Sequence, residues 1–165
     1  MSVKTLLFIF IGFFIFTAGM VYLLSIAQKP VPNAKFFAIS DSDRPKIETT
    51  NTSFDFGEIK VSDVKQQDFT FKNSGSKDLQ ILNIDSSCNC TFGQVLYKDF
   101  VSKEYGMHAQ SGYVTQISPS DTASIRVTYK PAIMPVFGLV EREVYVMTND
   151  PANPRLIFSV TAKVK

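Results

Sequence analysis

Reactive side chains are scarce in this sequence. Its 165 residues include one histidine and two cysteines. Two cysteines are too few for a disulfide scaffold, and one imidazole is little material for acid–base chemistry at neutral pH. Charge of one sign is lacking as well: 17 basic and 15 acidic residues leave a formal +2. With Lys4 and Lys29 set apart, the rest of the chain carries 15 of each sign. That balance excludes counterion-driven nucleic-acid binding and argues against electrostatic capture of an acidic partner. With only 19% charged and fully 45% hydrophobic residues, disorder and collagen-like repeats are excluded too. What remains is one ordinary domain plus an unusually apolar segment.

That segment is N-terminal. Thr5 to Gln28 is a run of 24 residues without a charge, about 36 Å long as a helix and therefore sufficient to cross a bilayer core of about 30 Å. Gly12 and Gly19 are common residue types in membrane helices, and Tyr22 suits the interfacial aromatic belt. Ser25-Ile26-Ala27 offers small residues for signal cleavage, but the apolar run exceeds a usual signal core, so the expectation is an uncleaved anchor over 1–28. Charge counting does not decide orientation, because Lys29, Lys35, Arg44 and Lys46 follow the helix and only Lys4 precedes it. A short positive start followed directly by an apolar core is how an export signal begins, which places the C-terminal domain outside the cytoplasm, periplasmic or cell-surface. Residues 29–44 mix proline, lysine and small polar residues and read as an extended linker. Within it, Phe36-Phe37 would rest on the membrane surface or cap the lower end of the domain.

From 45 to 165 the hydrophobic period is two. Ile47 and Thr49, Phe54 and Phe56, Phe69 and Phe71, Leu79 and Ile81, then Ile84, mark successive strands. Further on come Ala123 to Tyr129, then Val140, Val144 and Val146, and finally Phe158 to Val164. The separators are turn chemistry: Asn73-Ser74-Gly75-Ser76, Ser118-Pro119-Ser120-Asp121 and Asn149-Asp150-Pro151-Ala152-Asn153-Pro154. About seven short strands with such breaks predict an all-β fold, an antiparallel β-sandwich preceded by one transmembrane helix.

Taken in order, Phe54-Asp55-Phe56-Gly57-Glu58-Ile59, Phe69-Thr70-Phe71-Lys72-Asn73-Ser74-Gly75, Leu79-Gln80-Ile81, Ser87-Cys88-Asn89-Cys90-Thr91, Ile125 to Tyr129 and Thr148-Asn149-Asp150-Pro151 resemble the bacterial domain of unknown function 1573. That family is similar to the hydin-like and major-sperm-protein-like immunoglobulin-type sandwiches. The resemblance covers 45–164 and implies an exported or membrane-anchored immunoglobulin-like sandwich without an established activity. Two departures stand out. The family's usual SCGCT has Asn89 at its centre here, a residue type that tolerates left-handed backbone. The stretch 92–113 is also longer than the minimal family pattern.

Cys88 and Cys90 are two apart, so an extended backbone would turn both thiols to one face with α-carbons about 6–7 Å apart. Three readings stay open for them: a strained and easily reduced disulfide, a soft-metal clasp, or inert packed residues at a strand end. Met107 and His108 on the following long stretch would complete a soft ligand set, Cys88, Cys90, Met107 and His108, suited to copper(I) more than to structural zinc. The aromatics of that stretch, Phe92, Tyr97, Phe100, Tyr105 and Tyr113, suit either a protein interface or a folded-back loop with a small core of its own. Asp55-Phe56-Gly57 is strand and turn rather than a kinase tripeptide, and Asn51-Thr52-Ser53 and Asn89-Cys90-Thr91 are weak glycosylation matches. No oxyanion motif accompanies a nucleophile, so no catalytic residue is expected. The sequence thus points to a membrane-anchored, noncatalytic interaction module. It would be held in the membrane by the N-terminal helix and offer the loop 92–117, or an open sheet edge, to an envelope protein. The alternative is a copper or thiol-redox protein built on Cys88 and Cys90; no other cofactor and no nucleic acid are expected.

Overall fold

The computed structural model describes residues 3–27, 33–108 and 112–165 and divides into two compact units, 1–32 and 33–165. Of the expected anchor 1–28, residues 1, 2 and 28 lie outside the described residues, as do 29–32 of the expected linker. The first unit contains helix α1, Val3–Ala27. Within it, Val3–Leu23 is long and apolar enough to cross a membrane, with a mean hydropathy of 2.4. The helix has no polar stripe to set against an apolar one, the pattern of a segment apolar all round.

The second unit is an immunoglobulin-like sandwich of two five-stranded sheets. Its strands are β1 (Ile47–Thr49), β2 (Ser53–Ile59), β3 (Lys65–Asn73), β4 (Leu79–Ser86), β5 (Thr91–Tyr97), β6 (Phe100–Val101), β7 (Thr115–Ile117), β8 (Thr122–Tyr129), β9 (Gly138–Thr148) and β10 (Arg155–Val164). One sheet runs β1-β3-β8-β5-β6 and the other β2-β10-β9-β4-β7. Alternation decides which side faces inward. Phe69, Phe71, Ile125, Val127 and Tyr129 are buried from the first sheet, and Leu79, Ile81, Val144, Val146, Phe158 and Val160 from the second. The Phe69 and Phe158 rings meet across the interlayer at 5.2 Å.

One pairing departs from the expected antiparallel pattern. The first strand is split: β1 pairs antiparallel with β3, and after the bend at 50–52 the chain crosses to the other sheet, where β2 lies parallel to β10. The crossing leaves β2 no room to reverse, so it meets the last strand head to head. Phe54 remains 43% exposed on this edge strand, so its apolar letter did not signal core.

Residues 33–44, expected as a stalk, are bonded to the sandwich. The Lys35 N–H donates to Gln80 Oε1 at 2.7 Å, Gln80 Nε2 donates to the Asn33 carbonyl at 3.2 Å, and Arg44 Nη1 reaches Asp150 Oδ1 at 3.0 Å. Phe36 is exposed and Phe37 half-buried. The chain therefore enters the sandwich at the end where β4 begins and β9 finishes.

Candidate functional site

The turn between β4 and β5, at the opposite end, carries the two cysteines, joined as a disulfide with α-carbons 5.3 Å apart. The 6–7 Å of an extended backbone is shortened because the chain turns here. The Thr91 N–H donates to the Cys88 carbonyl at 3.2 Å, Ser86 Oγ to the same carbonyl at 2.9 Å, and the Lys130 N–H to the Cys90 carbonyl at 2.8 Å. Ser87 fastens the turn to β9 twice, its N–H donating to the Glu143 carbonyl and its Oγ accepting from the Glu143 N–H, both at 2.9 Å. Asn89 is exposed and is not among the residues at positive φ, which besides glycines are Lys98 and Ser120. Asparagine at the centre of the motif therefore costs no left-handed backbone.

Around the sulfurs the setting is polar. Cys90 is fully buried and Cys88 8% exposed. Thr91 Oγ1 lies 3.4 Å from Cys88 Sγ and 3.8 Å from Cys90 Sγ. Arg142 Nε, from β9, donates to Cys90 Sγ at 3.3 Å, and its guanidinium carbon stands 5.8 Å from the Tyr129 ring. Burial pushes the Tyr129 phenol up from 10, and the Arg142 charge opposes it in part. The Tyr129 hydroxyl is buried without a hydrogen-bond partner among the described residues.

Gly106 passes within contact distance of Phe92 and Thr91, which brings Met107 and His108 to this end of the sandwich, but both occupy an exposed turn. Among the described residues no group of three or more histidine, cysteine or acidic side chains is arranged to hold a metal ion. The disulfide also engages both sulfurs that a copper site would need as thiolates.

The stretch 92–117 begins and ends in strand, with β5, β6 and β7 in it, and turns or irregular backbone in the described residues between them. Phe92 and Tyr97 sit half-buried on β5, with Lys130 Nζ 4.5 Å over the Phe92 ring and the Tyr97 hydroxyl donating to Asp121. Tyr105 is buried in the core beside β5, where its backbone pairs with Gly93, and burial pushes its phenol up. Tyr113 is half-buried next to β7. Only Phe100, 42% exposed, stands open among the five.

Two features went unread in the sequence. The first is a buried polar clasp: Asp150 Oδ1 accepts from Arg44 Nη1 and from the Ala152 N–H, both at 3.0 Å, and Oδ2 accepts from the Ile47 N–H at 3.0 Å and from Asn153 Nδ2 at 2.8 Å. Buried Asn149 and Asn73 make similar side-chain bonds to the backbone of β4 and its neighbours. The second is the connection from β8 to β9. After buried Pro131, every residue from Ala132 to Leu139 is exposed, including Ile133, Met134, Val136, Phe137 and Leu139, the last two at 66% and 83%. Its signal was on the page as an apolar run between Pro131 and Gly138, the latter at φ +92°.

Residues 47–105 match the model of a family described as "Protein of unknown function (DUF1573)". No curated protein matches the chain. Among solved structures, a protein of unknown function from Porphyromonas gingivalis W83 is 16% identical with a TM-score of 0.56, over 76% of this chain and 50% of that one. A family 123 glycoside hydrolase from Clostridium perfringens is 12% identical with a TM-score of 0.51, over 70% of this chain and 23% of the hydrolase. The human CEP192 ASH/PapD-like domain is 13% identical with a TM-score of 0.46, over 84% of this chain and 97% of the domain. The chain thus spans about half of the Porphyromonas protein and about a quarter of the hydrolase. The first two likenesses are to the fold.

Proposed function

We propose that the protein is a membrane-anchored, extracytoplasmic, noncatalytic binding module that meets a protein partner through the exposed connection Ala132–Leu139. That connection carries the reading. Five large apolar side chains within seven consecutive residues stand in water, an arrangement that soluble domains keep for contact surfaces. It lies at the end of the sandwich away from where residues 33–46 enter.

Sheet-edge addition has less support. Three of the four edge strands have two or three residues, and the long one, β2, is broken by Gly57 at φ +66° and a register shift against β10. Such short or bulged edges are how sheets avoid accepting another strand. The apolar span Val3–Leu23 supports anchoring, and the Cys88–Cys90 bond supports an oxidising compartment. Of the alternative readings built on the cysteines, the bond favours the thiol-redox branch over copper.

The test places a photoreactive side chain at Phe137 of the full chain in its own membrane. The expected result is one protein crosslinked in stoichiometric yield, lost on Met134→Ser with Leu139→Ser while the thermal transition is unchanged. Crosslinks to lipid alone, or the same yield from the double variant, would refute the reading.

A further inference from the structure

We infer that the Cys88–Cys90 bond is a thiol-exchange site, in which Cys88 receives the attack of a dithiol and Arg142 holds the departing sulfur of Cys90. This stands apart from the binding reading and fails or survives separately from it. A bridge across one residue removes little freedom from the unfolded chain, since the effect of a cross-link grows with the loop it closes. Nor does the turn need it: Thr91 to Cys88, Lys130 to Cys90 and the two Ser87–Glu143 bonds already fix the backbone on both sides. A bond that staples so little is free to serve chemistry.

The surroundings are asymmetric in a way that chooses the order of events. Cys88 keeps the exposure of the pair, while Cys90 is closed to solvent and faces Arg142 Nε at 3.3 Å. A disulfide sulfur is a weak acceptor and uses that donor poorly. No carboxylate pairs with the guanidinium among the described residues; its other bond is from Nη1 to the Glu141 carbonyl at 2.8 Å. A thiolate formed at Cys90 would receive a charge-assisted bond in the same place. Thr91 Oγ1, within 3.8 Å of both sulfurs, can donate to either.

In the first step one thiolate of the dithiol attacks Cys88 Sγ. A mixed disulfide forms, the Sγ–Sγ bond breaks, and its electron pair leaves on Cys90 as a thiolate beneath Arg142. The second thiolate of the dithiol then attacks the sulfur of its own mixed disulfide, closing the oxidised dithiol. Cys88 leaves as a thiolate and takes a proton from water. Two electrons pass from the dithiol to the pair, and exchange is faster when the leaving sulfur is the more acidic. The substrate class is a dithiol, free or carried on a protein, able to approach the Cys88 side.

The experiment uses the full chain in detergent, with glutathione as a monothiol probe and dithiothreitol as a dithiol. Peptide mass mapping after an acid quench is expected to find the glutathione adduct on Cys88; an adduct on Cys90 overturns the order of attack. Arg142→Gln should slow reduction by dithiothreitol about threefold, since one pKa unit on the leaving thiol is tenfold in equilibrium and only a part of that in rate. Arg142→Lys, which keeps the charge, should recover most of that loss. Equal rates in all three proteins overturn the part given to Arg142. Far-UV dichroism should keep its strand signal on reduction and in both variants. Reduction that proceeds only as this signal is lost would make the bond a structural cross-link and overturn the proposal.

Discussion

Asp150→Ala tests how far one buried carboxylate holds the entry of the chain. The Asp150 side chain is 1% exposed and that of its partner Arg44 14%, so both charges are largely out of water and screening by solvent is small. Removing the carboxylate strands the guanidinium and takes the acceptor from the N–H groups of Ile47 and Ala152 and from Asn153 Nδ2. Breaking a buried pair by deleting one member costs about 3–5 kcal/mol, and the freed donors fall within that figure to the extent that water reaches them. Against a total stability of about 5–15 kcal/mol, a loss of about 4 is severe. For a domain of this size it lowers the melting temperature by about 12–20 °C. Arg44→Ala is milder, about 2 kcal/mol, because the carboxylate keeps three of its donors. Thermal unfolding of the full chain in detergent, followed at the strand dichroism band, measures both. A melting temperature for Asp150→Ala within about 3 °C of the parent would refute the reasoning, since an exposed ion pair behaves that way.

Gly93→Ala would place a β-carbon 2.6 Å from Val144 Cγ1 and 2.8 Å from Ile84 Cγ2; the resulting overpacking is expected to cost about 1–3 kcal/mol in denaturant titrations, and an unchanged midpoint would show the two sheets to be looser than described. Donation from Lys98, and then from Tyr97, holds the Asp121 carboxyl below its usual 3.8. A carboxyl more acidic in the folded chain than in the unfolded one stabilises above the unfolded value and loses that contribution as pH falls through the folded one, so Asp121→Asn should flatten the acid limb of the stability profile below about pH 4. Alkaline carbonate washing should leave the full chain in the membrane pellet and release a variant lacking residues 1–28; release of the full chain would end the anchoring reading.

Strands whose inward letters are bulky were readable from the sequence. Phe69 and Phe71, Ile125 to Tyr129 and Phe158 to Val164 alternate as they do because one row fills the interlayer. β5 escaped that reading because its inward row is Thr91, Gly93 and Val95. Side chains of β4 and β9 already occupy the space beside Gly93, so a larger letter has no room and the apolar signal disappears. In Asn149-Asp150 the turn letters were read correctly as a turn, but polarity concealed burial: these side chains replace the backbone partners that neighbouring segments lack. The apolar connection after Pro131 went unread, since composition alone does not tell an exposed apolar segment from a buried one. For the cysteines, spacing defined the alternatives, and the choice among them depended on a backbone turn and on Arg142, 52 residues from Cys90, which no local pattern reveals.

The parallel contact between β2 and β10 sets the order in which this protein can mature. Ser53 meets Ser159, and Arg44 finds its counterion 106 positions downstream. As the chain is made, β2 must wait for β10, and the loop between them is closed late at an entropic cost. Loss of β10 would strip a neighbour from both β2 and β9.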